Sequence, residues 1–220
     1  MSIKKDEFTA HLLGAQRLHV QQVWEGFEIV LGFESRNKYR ILDQNLNPLA
    51  FAAEQSSGLG GTILRQILGH WRSFKVTIFN QARERIYDVE FPFRWFLKTL
   101  ILKDATGRRL GHLDERFAFF RKKFDVYDDR GKVVARINSS FFKFWTFDFR
   151  FGPNHLGTIQ KKWSGILGEF FTDKDNFVVS YADPNLTAEV KALMLATCLM
   201  VDIVYFEDNQ GRKGILGLFD

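Results

Sequence analysis

The segment FFTDKDNFVVSYADP contains three carboxylates, Asp173, Asp175 and Asp183, whose spacing suggests a metal-binding loop. An EF-hand calcium loop takes ligands at positions 1, 3, 5, 7, 9 and 12, with Gly at position 6 and Glu at position 12. Counted from Asp173, position 5 is Phe177 and position 6 is a valine. The segment therefore fails as an EF-hand, and we predict weak or no calcium binding.

The same segment also has the pattern of a strand. Residues Phe177 to Ala182 alternate as a half-buried strand does, so TDKDN is predicted as a hairpin turn and Asp183 as the strand's end. At ~3.3 Å per residue, the turn and Asp183 would lie roughly 25 to 30 Å apart. One ion could not contact all three carboxylates unless the segment coils.

Enzyme signatures are absent from the chain. It has no GxSxG, no HExxH and no complete P-loop, and its five histidines lack ligand spacing. The single cysteine, Cys198, can form neither a structural zinc site nor a disulfide within the chain. The glycine-rich stretch SSGLGGTIL lacks the Lys of a phosphate loop and is predicted as a linker. We predict no enzyme activity and no bound cofactor.

Basic and aromatic residues alternate in the stretch RFAFFRKKFDVY, where Arg121, Lys122 and Lys123 lie beside phenylalanines. Such a cluster suits an anionic membrane surface, where each basic residue contributes about 1 kcal/mol. Aromatics beside cations can also stack single-stranded bases, and a solvated strand end remains a third interpretation. The formal net charge of +5 favours anionic partners in general.

Recurring hairpins must position these residues. The clearest are YRILDQNLNPLAFAAE, TLILKDATGRRLGHLDE and FDVYDDRGKVVARINS, with weaker copies in FRFGPNHLGTIQKK and YFEDNQGRKGILGLF. Asp, Asn and Gly form their turns, near Thr106, Arg130 and Pro153 in the middle units. Phe147, Phe149 and Phe151 alternate with polar residues. Regular short strands with turn signals indicate an antiparallel sandwich or barrel.

Two segments have helical periodicity instead. GLGGTILRQILGHW predicts a short amphipathic helix near residues 62–72, with Trp71 on its apolar face. The second helix, LTAEVKALMLATCLMVDIVYF, has Thr187 as a plausible N-cap and is apolar on every side beyond its first turns. Lys191 and Asp202 argue against a membrane span. A helix buried inside a closed barrel is the favoured interpretation.

The N-terminal sequence MSIKKDEFTAHLLGAQ lacks the apolar core and cleavage site of a secretory signal. With the lone cysteine, this indicates a cytoplasmic protein. Residues 1–220 are predicted as one domain, of which 1–16 form a flexible or helical extension.

Two long stretches resemble the phospholipid scramblases. KKWSGILGEFFTDKDNFVVSYAD followed by LTAEVKALMLATCLMVDIVYFE is similar to the C-terminal part of that family. HVQQVWEGFEIVLGFESRNKYRILDQNLNPLAFAAEQ is similar to its N-terminal conserved block, so the resemblance covers about residues 17 to 208.

The resemblance implies a mostly β, tubby-like fold: a closed antiparallel barrel of about twelve strands around a buried hydrophobic C-terminal helix. It also implies an association with calcium-dependent transbilayer movement of phospholipids. The related tubby proteins bind phosphoinositide headgroups through basic surface residues. The family's proposed calcium segment corresponds to Asp173, Asp175 and Asp183, with Val178 where the family has Gly. Its proline-rich extension is absent, and its cysteine-rich run is replaced by the cysteine-free FPFRWFLKTL.

Three functions are consistent with these features. The first is a scramblase-like protein, peripheral on the inner face of the plasma membrane. It would bind anionic phospholipids or phosphoinositides through Arg121, Lys122, Lys123 and Trp71, and move lipids between leaflets. The second is a soluble ligand-binding or protein-interaction module. The third, a nucleic-acid-binding regulator, has the least support. The sequence indicates no oligomeric state.

Overall fold

The computed structural model describes residues 3–23, 37–55, 73–94, 96–118, 122–139, 146–162 and 176–207. Its helices are α1 (Ile3–Gly14) and α2 (Ala188–Val201), and a π-helical segment, Asp202–Glu207, continues α2. Its strands are β1 (Arg17–Val23), β2 (Lys38–Leu42), β3 (Pro48–Glu54), β4 (Phe74–Asn80), β5 (Arg85–Phe91), β6 (Thr99–Asp104), β7 (Arg109–Arg116), β8 (Lys123–Asp128), β9 (Val133–Ser139), β10 (Thr146–Phe151), β11 (Asn154–Lys162) and β12 (Asn176–Tyr181).

The twelve strands within the described residues form one closed antiparallel barrel. Each strand pairs with its neighbours in sequence, and β1 pairs with β12 to close the ring. Closure leaves no free sheet edge. The tubby-like barrel that the resemblance implies is confirmed.

Four of the five predicted hairpins are present, as β2–β3, β6–β7, β8–β9 and β10–β11. The fifth, residues 205–219, lies largely outside the described residues. Phe147 and Phe149 are buried, as their alternation predicts, whereas Phe151 is exposed at the last position of β10. The predicted amphipathic helix near 62–72 lies outside the described residues.

Three hairpin turns have the same capping arrangement, in which an aspartate occupies the first position of the turn. One carboxylate oxygen of each of Asp43, Asp104 and Asp128 accepts hydrogen bonds from the backbone amides two and four residues later. Gly107 and Gly131 then take φ angles of 88° and 79°. A local carboxylate cap and a left-handed glycine fix the turn, and with it the strand register.

The predicted C-terminal helix lies inside the barrel. Thr187 caps α2, its hydroxyl oxygen accepting from the amide of Val190 at 3.4 Å. From Ala192 to Val201 every residue is at most 1% exposed, and α2 contacts β6, β7, β8 and β12. Among the described residues, no helix has both the length and the apolar character needed to cross a membrane. The buried interpretation of this segment is confirmed.

The two barrel ends differ. At one, which we call the α1 end, Phe8 and Leu12 of α1 are buried against the core. The ammonium of Lys191 donates to the carbonyls of Leu13 and Ala15 at 2.6 and 2.8 Å and holds the end of α1 there. At the other, the rim end, α2 finishes in the π-helical segment.

Candidate functional site

A pocket of about 190 Å³ opens at the rim end of the barrel, among the ends of β4 to β8 and the last turns of the central helix. We call it the rim pocket. It is lined by Phe74, Phe91, Pro92, Arg94, Phe96, Lys98, Thr99, Glu115, Lys122 and Val204. Three of these side chains are cationic and one is acidic, so the lining carries a net positive charge.

Two of the cations share one aromatic ring. The ammonium groups of Lys98 and Lys122 lie 4.6 and 4.9 Å from the centroid of the Tyr205 ring. An ammonium group over an aromatic face is attracted by the ring's quadrupole. Both positive charges therefore lie within 5 Å of the centre of one ring at the rim, where an anionic group could contact either of them.

Glu115 is fixed beside these cations. One of its oxygens accepts from the Tyr205 hydroxyl at 3.3 Å, and the other accepts from the backbone amide of Lys98 at 3.1 Å. The Lys122 ammonium lies 3.5 Å from the first oxygen. Burial, followed by the Glu115 charge, raises the pKa of Tyr205 well above its usual value. Tyr205 therefore stays protonated as the donor of this hydrogen bond.

Two exposed aromatic side chains lie at the same end of the barrel as the cations. Phe96 is 89% exposed in the β5–β6 loop, and Phe117, which follows β7, is 75% exposed. Inside the pocket Phe74 and Phe91 stack with their ring centroids 4.1 Å apart. Large apolar side chains this exposed, next to positive charge, are typical of a surface that contacts something apolar and anionic.

The structure places two of the four predicted lipid-contacting residues. Lys122 lines the rim pocket. Lys123, its neighbour, begins β8 and pairs with Arg116 of β7 on the outer face of the barrel. Arg121 and Trp71 lie outside the described residues.

Of the three acidic residues in the calcium segment, the structure describes Asp183 alone. Its carboxylate accepts from the amide of Asn185 at 2.8 Å, which shapes the turn between β12 and α2. Asp173 and Asp175 lie outside the described residues. In the part of the chain that the structure describes, no three His, Cys, Asp or Glu side chains are grouped as metal ligands would be.

Sequence reasoning missed most of the rim pocket. Lys98, Glu115 and Tyr205 come from β6, β7 and the π-helical segment, and no local motif joins them. Phe96 had a visible signal, since FPFRWFLKTL is rich in aromatic residues and has two cations. In the sequence alone, this stretch only marks where the family has a cysteine-rich run.

The chain's lone cysteine lies inside the barrel. Cys198 is fully buried in α2, and burial raises the pKa of its thiol well above the usual value. A buried, protonated thiol is a poor nucleophile, so this side chain is unsuited to carrying an acyl anchor in the folded protein.

Comparison with known proteins finds one family and several relatives. A family model described as Scramblase matches residues 1–208. Phospholipid scramblase 2 of Bos taurus is 26% identical over 219 residues, covering 92% of this chain and 72% of its own. Phospholipid scramblase 1 of Homo sapiens is 24% identical, covering 95% and 69%. A crystal structure of an Arabidopsis thaliana protein aligns with a TM-score of 0.47 at 15% identity, over 89% of this chain and 98% of that one.

Proposed function

This chain belongs to the Scramblase family, and on that premise we propose that it binds anionic phospholipid surfaces peripherally through the rim end of its barrel. The rim pocket would hold a phosphate-bearing headgroup, and the exposed phenylalanines would enter the interface. The surface we propose is the inner face of the plasma membrane, whose lipids are anionic.

One observation carries the proposal: exposed aromatic and cationic side chains occur together at one barrel end. Phe96 and Phe117 are mostly solvent-exposed, while Lys98 and Lys122 hold positive charge between them. Aromatic rings are favoured at the membrane interface, and each cation near an anionic surface contributes about 1 kcal/mol. The two kinds of side chain would reinforce each other on a lipid surface.

The size of the pocket favours a lipid headgroup over a soluble ligand. At about 190 Å³ it is smaller than the pockets of roughly 300 to 1,000 Å³ that enclose drug-sized ligands. A phosphate group fits such a space while the rest of a lipid stays in the membrane.

Flotation with liposomes tests the proposal. Wild-type protein should float with phosphatidylcholine vesicles containing phosphatidylserine, and much less with phosphatidylcholine alone. The double variant Lys98→Gln/Lys122→Gln should bind about 25-fold more weakly, at about 1 kcal/mol per charge. Phe96→Ser/Phe117→Ser should bind at least about tenfold more weakly, because burying one Phe contributes about 1.5 to 3 kcal/mol.

Matched controls come from the α1 end. Phe151 is also exposed, and Lys132 is exposed in the β8–β9 turn. Phe151→Ser and Lys132→Gln make the same chemical changes away from the rim, so binding should stay within about twofold. Wild-type protein that fails to float at low salt, or controls that lose as much binding as the rim variants, would refute this function.

Transbilayer lipid movement is a second candidate function, which the names of the similar proteins, phospholipid scramblases, favour. Because α2 fills the barrel, a headgroup could not pass through its interior. We therefore infer that any lipid path follows the outer surface or the rim, where the rim pocket would take up the headgroup.

A dye-quench assay in reconstituted liposomes tests lipid movement with and without calcium. In this assay the quencher reaches only labelled lipid in the outer leaflet, so lipid movement appears as loss of the fluorescence of the inner-leaflet half. We expect the same rate of loss in calcium and in chelator, given the degraded calcium segment. Fluorescence that stays at about half of its starting value after quenching would refute transbilayer lipid movement, while the proposal of headgroup binding would stand. A rate that depends on calcium would refute calcium independence.

A further inference from the structure

Glu115 lies beside the cations of the rim pocket, at the position where a bound phosphate would also make its contacts. Its side chain is 10% exposed and both of its oxygens accept hydrogen bonds from the protein. It lies on the inward face of β7, in line with the buried Leu113, whereas Asp114 faces outward. The carboxylate is therefore part of the pocket and cannot swing freely into solvent.

The partners of Glu115 are the cations proposed to bind lipid. One oxygen of Glu115 lies 3.5 Å from the Lys122 ammonium. The same oxygen accepts a hydrogen bond from the Tyr205 hydroxyl, and the Lys98 and Lys122 ammonium groups lie over the Tyr205 ring. Two anions near the same cations repel each other, and the repulsion grows with the charge on each. A headgroup that enters must therefore compete with Glu115.

We propose that Glu115 is a built-in counter-anion that limits how tightly the rim pocket holds an anionic headgroup. The proposal rests on the proposed function and adds a regulatory residue to that site. In the empty pocket, Glu115 holds the Lys122 ammonium in place. In the bound state it weakens attachment in proportion to the headgroup's negative charge, which keeps membrane binding reversible.

A purely structural role for Glu115 predicts the opposite result. If the carboxylate served only to order the lysines, its removal would loosen the pocket and weaken headgroup binding. A counter-anion predicts tighter binding when the charge is removed. The direction of the change separates the two roles.

The experiment compares Glu115→Gln with Glu90→Gln in vesicle binding at constant salt. Glu90 forms an ion pair with Lys103 at 2.6 Å on the outer face of β5, so its variant removes the same charge outside the pocket. On phosphatidylserine vesicles Glu115→Gln should bind about fivefold more tightly than wild type, the factor for one elementary charge near an anionic surface. On vesicles with phosphatidic acid, a more highly charged phosphomonoester, the gain should be larger. Glu90→Gln should stay within about twofold on both.

A second variant, Tyr205→Phe, separates charge from order. It removes the hydroxyl that fixes Glu115 but keeps the carboxylate charge, so it should not reproduce the tighter binding of Glu115→Gln. A gain in Tyr205→Phe equal to that of Glu115→Gln would assign the effect to loosening of the rim and overturn the proposal. Thermal unfolding of each variant verifies that the barrel is intact.

The outcomes distinguish this inference from the proposed function. If wild-type protein binds and Glu115→Gln binds no more tightly than Glu90→Gln, the counter-anion role is wrong and headgroup binding stands. If neither wild-type protein nor Glu115→Gln binds anionic vesicles, both are wrong.

Discussion

Gly157→Ala should cost the barrel at least about 3 kcal/mol of unfolding free energy, because no side chain fits on this inward-facing position. A Cβ atom there would lie 2.1 Å from the carbonyl oxygen of Ser180 on β12 and 2.7 Å from the methyl carbon of Met194. The first contact is with backbone, which cannot rotate away. The paired strand or the central helix would have to move.

The expected cost follows from how α2 fits into the barrel. Typical overpacking of a core costs about 1 to 3 kcal/mol, when side chains alone can adjust. Here the contacted oxygen belongs to the backbone of β12, and β12 pairs with β11 on both sides of this position, so relief of the clash would disturb the ladder. Single domains have only about 5 to 15 kcal/mol of stability in total, so the variant should lose a large share of it.

Urea unfolding followed by circular dichroism measures this effect. Gly152→Asn is the control, since Gly152 lies in a turn at φ 58° with open space around its Cα, and Asn tolerates that conformation. The control should lose less than about 1 kcal/mol. A Gly157→Ala protein as stable as the control would mean that α2 does not press against β11.

The hairpins were predictable where a turn carries its own chemical signal. Asp104 with Gly107, and Asp128 with Gly131, mark their turns in the sequence as in the structure. The β4–β5 hairpin escaped prediction because its turn, residues 81–84, has neither an aspartate cap nor a glycine. Arg83 takes the left-handed conformation there instead, at φ 63°. A non-glycine residue in that conformation is uncommon and leaves no pattern to detect.

The site was predictable only where its residues are neighbours in sequence. Lys122 stood out in a run of basic and aromatic residues. Glu115 and Tyr205 meet across 90 residues of chain, and each alone looks like an ordinary strand or helix residue. Closure of the barrel joins them at the rim, and local periodicity contains no information about which strand ends meet. The resemblance to a family supplied the closed barrel but not this cluster.

Lys191→Met should release α1 from the barrel and cost about 3 kcal/mol, since hydrogen bonds to a charged group contribute roughly 1.5 to 3 kcal/mol. Lys191 is 2% exposed, and its ammonium donates to the carbonyls of Leu13 and Ala15 where α1 ends. It also lies 5.0 Å from the centroid of the Tyr181 ring. Met keeps most of the apolar stem but leaves both carbonyls without this donor.

Hydrogen exchange separates local release of α1 from general destabilisation. Amides of α1 should exchange at least about a hundredfold faster in Lys191→Met, as about 3 kcal/mol implies, while barrel amides remain more protected. Lys132→Met is the matched control, because its side chain is exposed in a turn and its loss should change stability by less than about 0.5 kcal/mol. Unchanged exchange in α1 would show that burial of Phe8 and Leu12 suffices to hold the helix. Equal acceleration in α1 and the strands would instead mean that α1 and the barrel unfold as one cooperative unit, with Lys191 stabilising the whole.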